Sequence, residues 1–199
     1  MGRKNAIIEA ATELFAEKGF NETSTAEIAA RSGVAHGTLF YHYKTKEGIL
    51  LKVYEAVMNS YVRGMQAAIA PASSGLEGIE AAVRFHFRFS TERAREVLVL
   101  MRDFPGQFSA LDFPHRDVVA GKTARVIALL QKCLEAGMAD GSVRPLPTVE
   151  TAHMVRGLMV GLTRQRLLGP LQVPEAGEEV IRFCRRALTA EVATPTEGH

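Results

Sequence analysis

Cysteine is scarce: Cys133 and Cys184 are the only two in 199 residues. They are far apart in sequence and match no metal-ligand spacing. That excludes a disulfide mini-protein and predicts reduced thiols, with one bridge as the only disulfide left open. Long apolar runs are missing as well. The most apolar stretch, 157–163, is bracketed by Arg156 and Arg164, and a bilayer span takes about 20 apolar residues. The basic start at Arg3 and Lys4 soon meets Glu9, Glu13 and Glu17, which interrupt the apolar region that a signal peptide requires. A soluble, cytoplasmic chain that avoids membranes is expected. There is no excess of one charge either. With 24 basic and 22 acidic side chains the balance is +2, so a nucleic-acid role must rest on where the charges sit. Nucleophile-elbow, phosphate-loop and metal-ligand spacings are all missing. His36 and His42 are six apart and cannot share a helix face as a metal pair would. No catalytic residue, cofactor or metal is expected.

What the chain does have is a helical period throughout, with glycine and proline clustered between periodic segments. The length fits one large domain, or a small one joined to one of typical size. Hydrophobic residues make up 47% of the chain, an ordinary globular share. An all-α fold of about nine helices is predicted, near 3–18, 25–32, 36–42, 46–69, 76–90, 92–102, 115–137, 148–168 and 175–190. Breaks fall at 71–75, 104–106, 112–114, 140–141 and 169–170. The tail, 191–199, has no periodicity and is expected to fray.

Two short helices around Gly33-Val34-Ala35 read as a helix-turn-helix. Ser24 and Glu27 have the spacing of a capping box. Gly33 supplies a positive φ at the turn. Ile28, Ala29 and Leu39 face inward, leaving His36, Gly37, Thr38, Tyr41 and His42 outward on the second helix. Between Arg31 and Lys46 the basic residues are Arg31, Lys44 and Lys46, with no acid, whereas residues 1–30 hold five acids to three bases. Positive charge thus gathers on the second helix and the turn after it, where DNA phosphates need cations and hydroxyl donors.

The run from Ile7 through Leu14-Phe15-Ala16-Glu17-Lys18-Gly19-Phe20, Thr23 to Ala29, and Gly33-Val34-Ala35-His36-Gly37-Thr38-Leu39-Phe40-Tyr41-His42-Tyr43 to Glu47 resembles the DNA-binding domain of the TetR family. The resemblance covers about the first quarter of the chain. It implies a helix-turn-helix domain over 1–47 and a helical ligand-binding and dimerisation domain over 48–190. It also implies a homodimeric transcriptional regulator, usually a repressor, released from an inverted-repeat operator by a small-molecule effector. By position, Thr25 would touch the DNA backbone. His36, Gly37 and Thr38 would face base edges, and Tyr41, His42 and Lys46 would hold phosphates. Ala35 replaces a common capping serine, Phe40 a common tyrosine, and Gly48 leaves the capping box of Thr45 incomplete.

With the resemblance in hand, Phe85, His86 and Phe89 are expected to join Met58, Tyr61, Met65, Met101, Phe104 and Phe108 around an apolar effector pocket. His86 or Arg88 would supply one polar anchor. Gly157 and Gly161, with the stripe of Ile181, Cys184 and Leu188, are expected at a four-helix dimer interface. Two alternatives are a small helical enzyme using the cavity and a helical dimer acting through protein partners. The first lacks acid–base or nucleophile spacing. The second gives no reason for positive charge on one helix-turn segment.

Overall fold

The structure is a computed structural model that describes residues 2–103, 116–169 and 176–189. Among the described residues there are nine helices and no strand: α1 (Arg3–Lys18), α2 (Thr25–Ser32), α3 (His36–Tyr43), α4 (Lys46–Ile69), α5 (Gly75–Glu92), α6 (Ala94–Arg102), α7 (Arg116–Asp140), α8 (Thr148–Leu168) and α9 (Ala176–Leu188). No helix among them is long and apolar enough to cross a membrane.

Helix α1 buries Ile7, Ala11, Leu14 and Phe15 on one face and ends where Gly19 takes φ 91°. The Phe20 ring then folds back on Phe15, with centroids 5.5 Å apart. The Ser24–Glu27 capping box at the start of α2 is complete, and Gly33 closes that helix at φ 67°. Lys18 and both Ser24 donors hold the Glu27 carboxyl down at about 2. Helix α4 has 24 residues, roughly 36 Å. Its first turns, Ile49, Leu50 and Val53, are buried near α1 and α3, while Tyr61 and Met65 lie in the C-terminal core. Thr45 caps α4 by accepting from the Gly48 N–H at 3.0 Å. A Cβ at 48 would lie 2.6 Å from the Tyr43 carbonyl oxygen, which explains the glycine there.

Helix α5 is the axis of the C-terminal part, packing against α4, α6, α7, α8 and α9. Phe85 and Phe89 are buried and Phe87 packs on the same core, as phenylalanines two apart on a nearly enclosed helix require. Helix α7 runs three residues beyond the expected stop at 137. Gly137 is buried against Val143 and the start of α5, so it serves close packing inside the helix rather than termination. The expected breaks at 104–106 and 112–114, and the tail 191–199, lie outside the described residues.

Candidate nucleic-acid interface and effector cavity

Helix α3 is anchored by one fully buried residue, Leu39. Around it, His36, Gly37, Phe40 and Tyr41 are exposed, and Thr38 and His42 are half-buried. Tyr41 is 73% exposed and Phe40 54%; an aromatic pair so open on an eight-residue helix contributes little to the chain's own core. No side chain caps the start of α3, which leaves its first N–H groups for an anion. Thr25 begins α2, and its hydroxyl lies 3.0 Å from His36 Nε2. The structure thus leaves His36, Gly37 and Tyr41 open on α3 with Thr38 and His42 half-open beside them, and sets Thr25 against His36.

The charge reading needs two corrections. Arg31 is not a free cation: its guanidinium sits on Glu17 at 2.9 and 3.1 Å and reaches Glu13 at 3.5 Å. Lys46 is not turned to solvent. Its ammonium donates to the carbonyls of Phe20, Asn21 and Thr23 at 2.8, 3.3 and 2.8 Å and stands 4.3 Å from the Phe20 ring centroid. The sequence places Lys46 in the basic segment, but only the fold shows that the loop between α1 and α2 passes beside it. Lys44 remains as the exposed lysine of the segment, with φ 59° and its ammonium 5.8 and 5.6 Å from the Phe40 and Tyr41 rings. From the sequence Lys44 reads only as charge; in the fold, with φ 59°, it stands beside the α3 aromatics.

Between α4, α5, α6, α7 and α8 lies a cavity of about 250 Å³. Met58, Tyr61, His86, Phe89 and Met101, five of the residues the resemblance led us to expect around a pocket, line it. Val57, Val97, Leu100, Val119 and Val126 supply more apolar wall, and Tyr54, Thr123 and Arg156 a polar side. Two expected residues do not line it. Met65 is wholly buried in the core, and Phe85 packs between the Tyr61 and Phe89 rings and over Gly64. Phe104 and Phe108 lie outside the described residues. Arg88 also leaves the pocket: it is exposed and faces Glu92 at 4.0 Å.

His86 is buried and fully engaged. Nε2 lies 3.1 Å from the Met159 carbonyl and 2.8 Å from Thr163 Oγ1, and Nδ1 is 2.7 Å from the Tyr61 hydroxyl. A carbonyl only accepts, so Nε2 carries the proton and Tyr61 donates to Nδ1. Burial lowers the His86 pKa to about 4 and raises that of the Tyr61 hydroxyl, so both are neutral near pH 7. His86 therefore does not offer the free polar anchor expected of it. Among the described residues no cluster of three or more metal-ligating side chains occurs. Both cysteines are free and buried.

The expected interface stripe on α9 faces inward. Ile181, at 3% exposure, Cys184 and Leu188 all belong to the chain's own core. Instead, Phe183 of α9 and Met154 of α8 are each 60% exposed, joined by Val149 and Leu168. Gly157 and Gly161 lie on the same side of α8 as Met154, and a Cβ at either would meet nothing within 4 Å. Gly157 and Gly161 therefore pack on none of the described residues.

Comparison with known proteins agrees with this geometry. The sequence model of the bacterial regulatory proteins of the tetR family matches residues 7–53. The HTH-type transcriptional repressor KstR2 of Mycolicibacterium smegmatis is 25% identical over 94% of this chain and 91% of its own length. Two solved structures share the fold. The transcriptional regulator FadR from Bacillus subtilis, in complex with stearoyl-CoA, superposes with a TM-score of 0.79 at 20% identity, covering 90% of this chain and 96% of that one. AibR in complex with isovaleryl coenzyme A and operator DNA gives 0.70 at 19%, covering 94% and 98%. The capped α2, glycine turn and open α3 all lie inside the matched segment, so residues 7–53 form a helix-turn-helix DNA-binding domain of the tetR type, and the relatives matched along most of the chain are transcriptional regulators.

Proposed function

We propose that this regulator acts in the cytoplasm as a homodimeric repressor that leaves its operator when a largely apolar small molecule enters the C-terminal cavity. One observation carries the ligand-switch reading. Met101 lines the cavity, and the next residue, Arg102, donates to the Phe15 and Ala16 carbonyls at the end of α1. Arg164 of α8 holds the Met101 carbonyl at 2.7 Å. The wall of the cavity and the frame of the DNA-binding helices are therefore consecutive residues. A ligand that binds the two states unequally shifts their populations through such a joint; one that binds them equally cannot. The relatives support the same reading, since KstR2 carries the name of a repressor, and FadR and AibR bind acyl-coenzyme A molecules.

In this reading α3 enters the major groove. His36, Gly37 and Thr38 face base edges, and Thr25, Tyr41, His42 and Lys44 hold phosphates. Lys46 orients the loop between α1 and α2. The domain border falls at the start of α4, near 47–48. The partner copy covers Met154, Gly157, Gly161 and Phe183, an apolar strip with small residues at helical spacing that lets two helices approach closely.

Selection from random-sequence duplexes tests the DNA half. An inverted repeat with half-sites one helical turn apart, about 34 Å, should emerge, bound with an affinity that falls steeply with salt. Recovery of no preferred duplex, or binding indifferent to salt, would contradict the proposal.

A further inference from the structure

Among the described residues that line the cavity, one is a cation and none is an anion. Arg156 sits on the inner side of α8, half-buried, and shares the cavity wall with Tyr54, Tyr61 and His86. Its charge is felt by all three of those groups. Among the described residues, no lining residue is acidic, and Arg156 has neither an ion pair nor a hydrogen bond. Several other arginines are paired, Arg31 with Glu17, Arg93 with Glu96, Arg102 with Asp103 and Arg185 with Glu80; Arg156 differs in facing the cavity.

The remaining polar groups of the cavity are already satisfied. Tyr61 donates to His86, whose own N–H goes to Met159 and Thr163. The Tyr54 hydroxyl donates to the Val119 carbonyl at 3.3 Å. Ser90 donates to the Phe87 carbonyl and accepts from Arg166. Thr123 bonds Tyr54, so among the described residues a molecule entering the cavity meets apolar walls and one unpaired charge, a guanidinium partly withdrawn from water. Such a charge is unfavourable alone and strongly favours an anion in its place.

We propose that Arg156 is the recognition residue for a carboxylate, and that the effector class is an amphipathic monocarboxylic acid whose chain or ring fills the apolar cavity. This rests on the effector-cavity reading above. The planar guanidinium fork matches a carboxylate through two parallel N–H···O bonds. The apolar end lies toward Met58, Leu100 and Met101. A quaternary ammonium of the same size is repelled.

Calorimetric titration of the full chain with octanoate, 1-octanol and octanoyl-coenzyme A tests this, with hexanoate and decanoate added to scan chain length. Octanoate should bind at least about tenfold tighter than octanol, a difference of roughly 1.4 kcal/mol. Arg156→Gln should erase that difference and leave octanol affinity unchanged, and Arg156→Lys should restore part of it. Equal affinity of acid and alcohol for the parent protein would overturn the carboxylate anchor while leaving the cavity reading intact. Loss of acid and alcohol together in Arg156→Gln would make the residue structural and also overturn it. Binding of none of these compounds would overturn the cavity reading and this inference with it. If octanoyl-coenzyme A bound far tighter than octanoate, and equally so in Arg156→Gln, anion recognition would lie elsewhere. The groove between α4 and α7 that holds Arg63, Lys122, Arg125 and Lys132 would then be the place.

Discussion

The Thr25 hydroxyl and His36 Nε2 stand 3.0 Å apart, tying the first residue of α2 to the first residue of α3. The contact orients the imidazole on a helix that has no side-chain cap of its own. It gives the two residues separable effects. His36→Ala should change base preference at one position of each half-site by about 1–3 kcal/mol. Thr25→Ala should weaken all sequences alike and blur that same position only slightly. Selection experiments on the two variants decide this. An unchanged base preference for His36→Ala would remove it from base reading and leave readout to Gly37, Thr38 and DNA shape.

The two lysines at the end of α3 should part ways. Lys44→Gln is expected to lower the salt dependence of DNA binding by about one unit, the signature of one lost phosphate contact. Lys46→Met should instead destabilise the fold, since it leaves three carbonyls without their shared donor, at a cost of about 1–3 kcal/mol. Urea melts and salt titrations of both variants separate the outcomes. A stable Lys46→Met protein with a reduced salt slope would return Lys46 to the phosphates.

For assembly, Phe183→Glu should give a folded monomer, because the residue faces away from the chain's own core. Ile181→Glu should unfold the protein, since it places a charge among buried side chains. Sedimentation together with circular dichroism distinguishes them. A folded Phe183→Glu dimer would exclude that strip as the interface.

His86 makes stability depend on pH in a predictable direction. Its folded pKa of about 4 lies below the ordinary 6.5, so between those values the unfolded chain binds more protons. Its contribution is fully present above pH 6.5 and is lost as pH falls toward 4. Between pH 7 and 5.5 the parent should lose roughly 1 kcal/mol more stability than His86→Gln. Parallel losses in the two proteins would show that His86 charges freely in the folded state.

The local devices were legible in the sequence because they are local. Ser24 with Glu27, Gly33 at the turn and Leu39 as the anchor of α3 depend on neighbours within a few residues. Met58, Tyr61, Phe89 and Met101 were found from composition and helical spacing guided by the family. What periodicity cannot say is which face meets the chain's own core and which meets a second copy. Ile181 and Phe183 lie on the same short helix, and the apolar stripe containing Ile181 turned inward while Phe183 stayed out. Long-range pairings were equally hidden. Nothing near Arg31 in sequence announces Glu17, 14 positions away, and nothing near Arg156 announces that it faces Tyr61 rather than solvent.

The most direct test of the account is reciprocal coupling between cavity and operator. Affinity for the selected duplex should be measured with and without saturating octanoate, and octanoate affinity with and without the duplex. The account predicts that each weakens the other by the same factor, as linkage demands. It further predicts that Arg102→Met, which cuts the tie from the cavity wall to α1, shrinks that factor while both single affinities persist. Octanoate that fills the cavity and leaves operator affinity unchanged would contradict it.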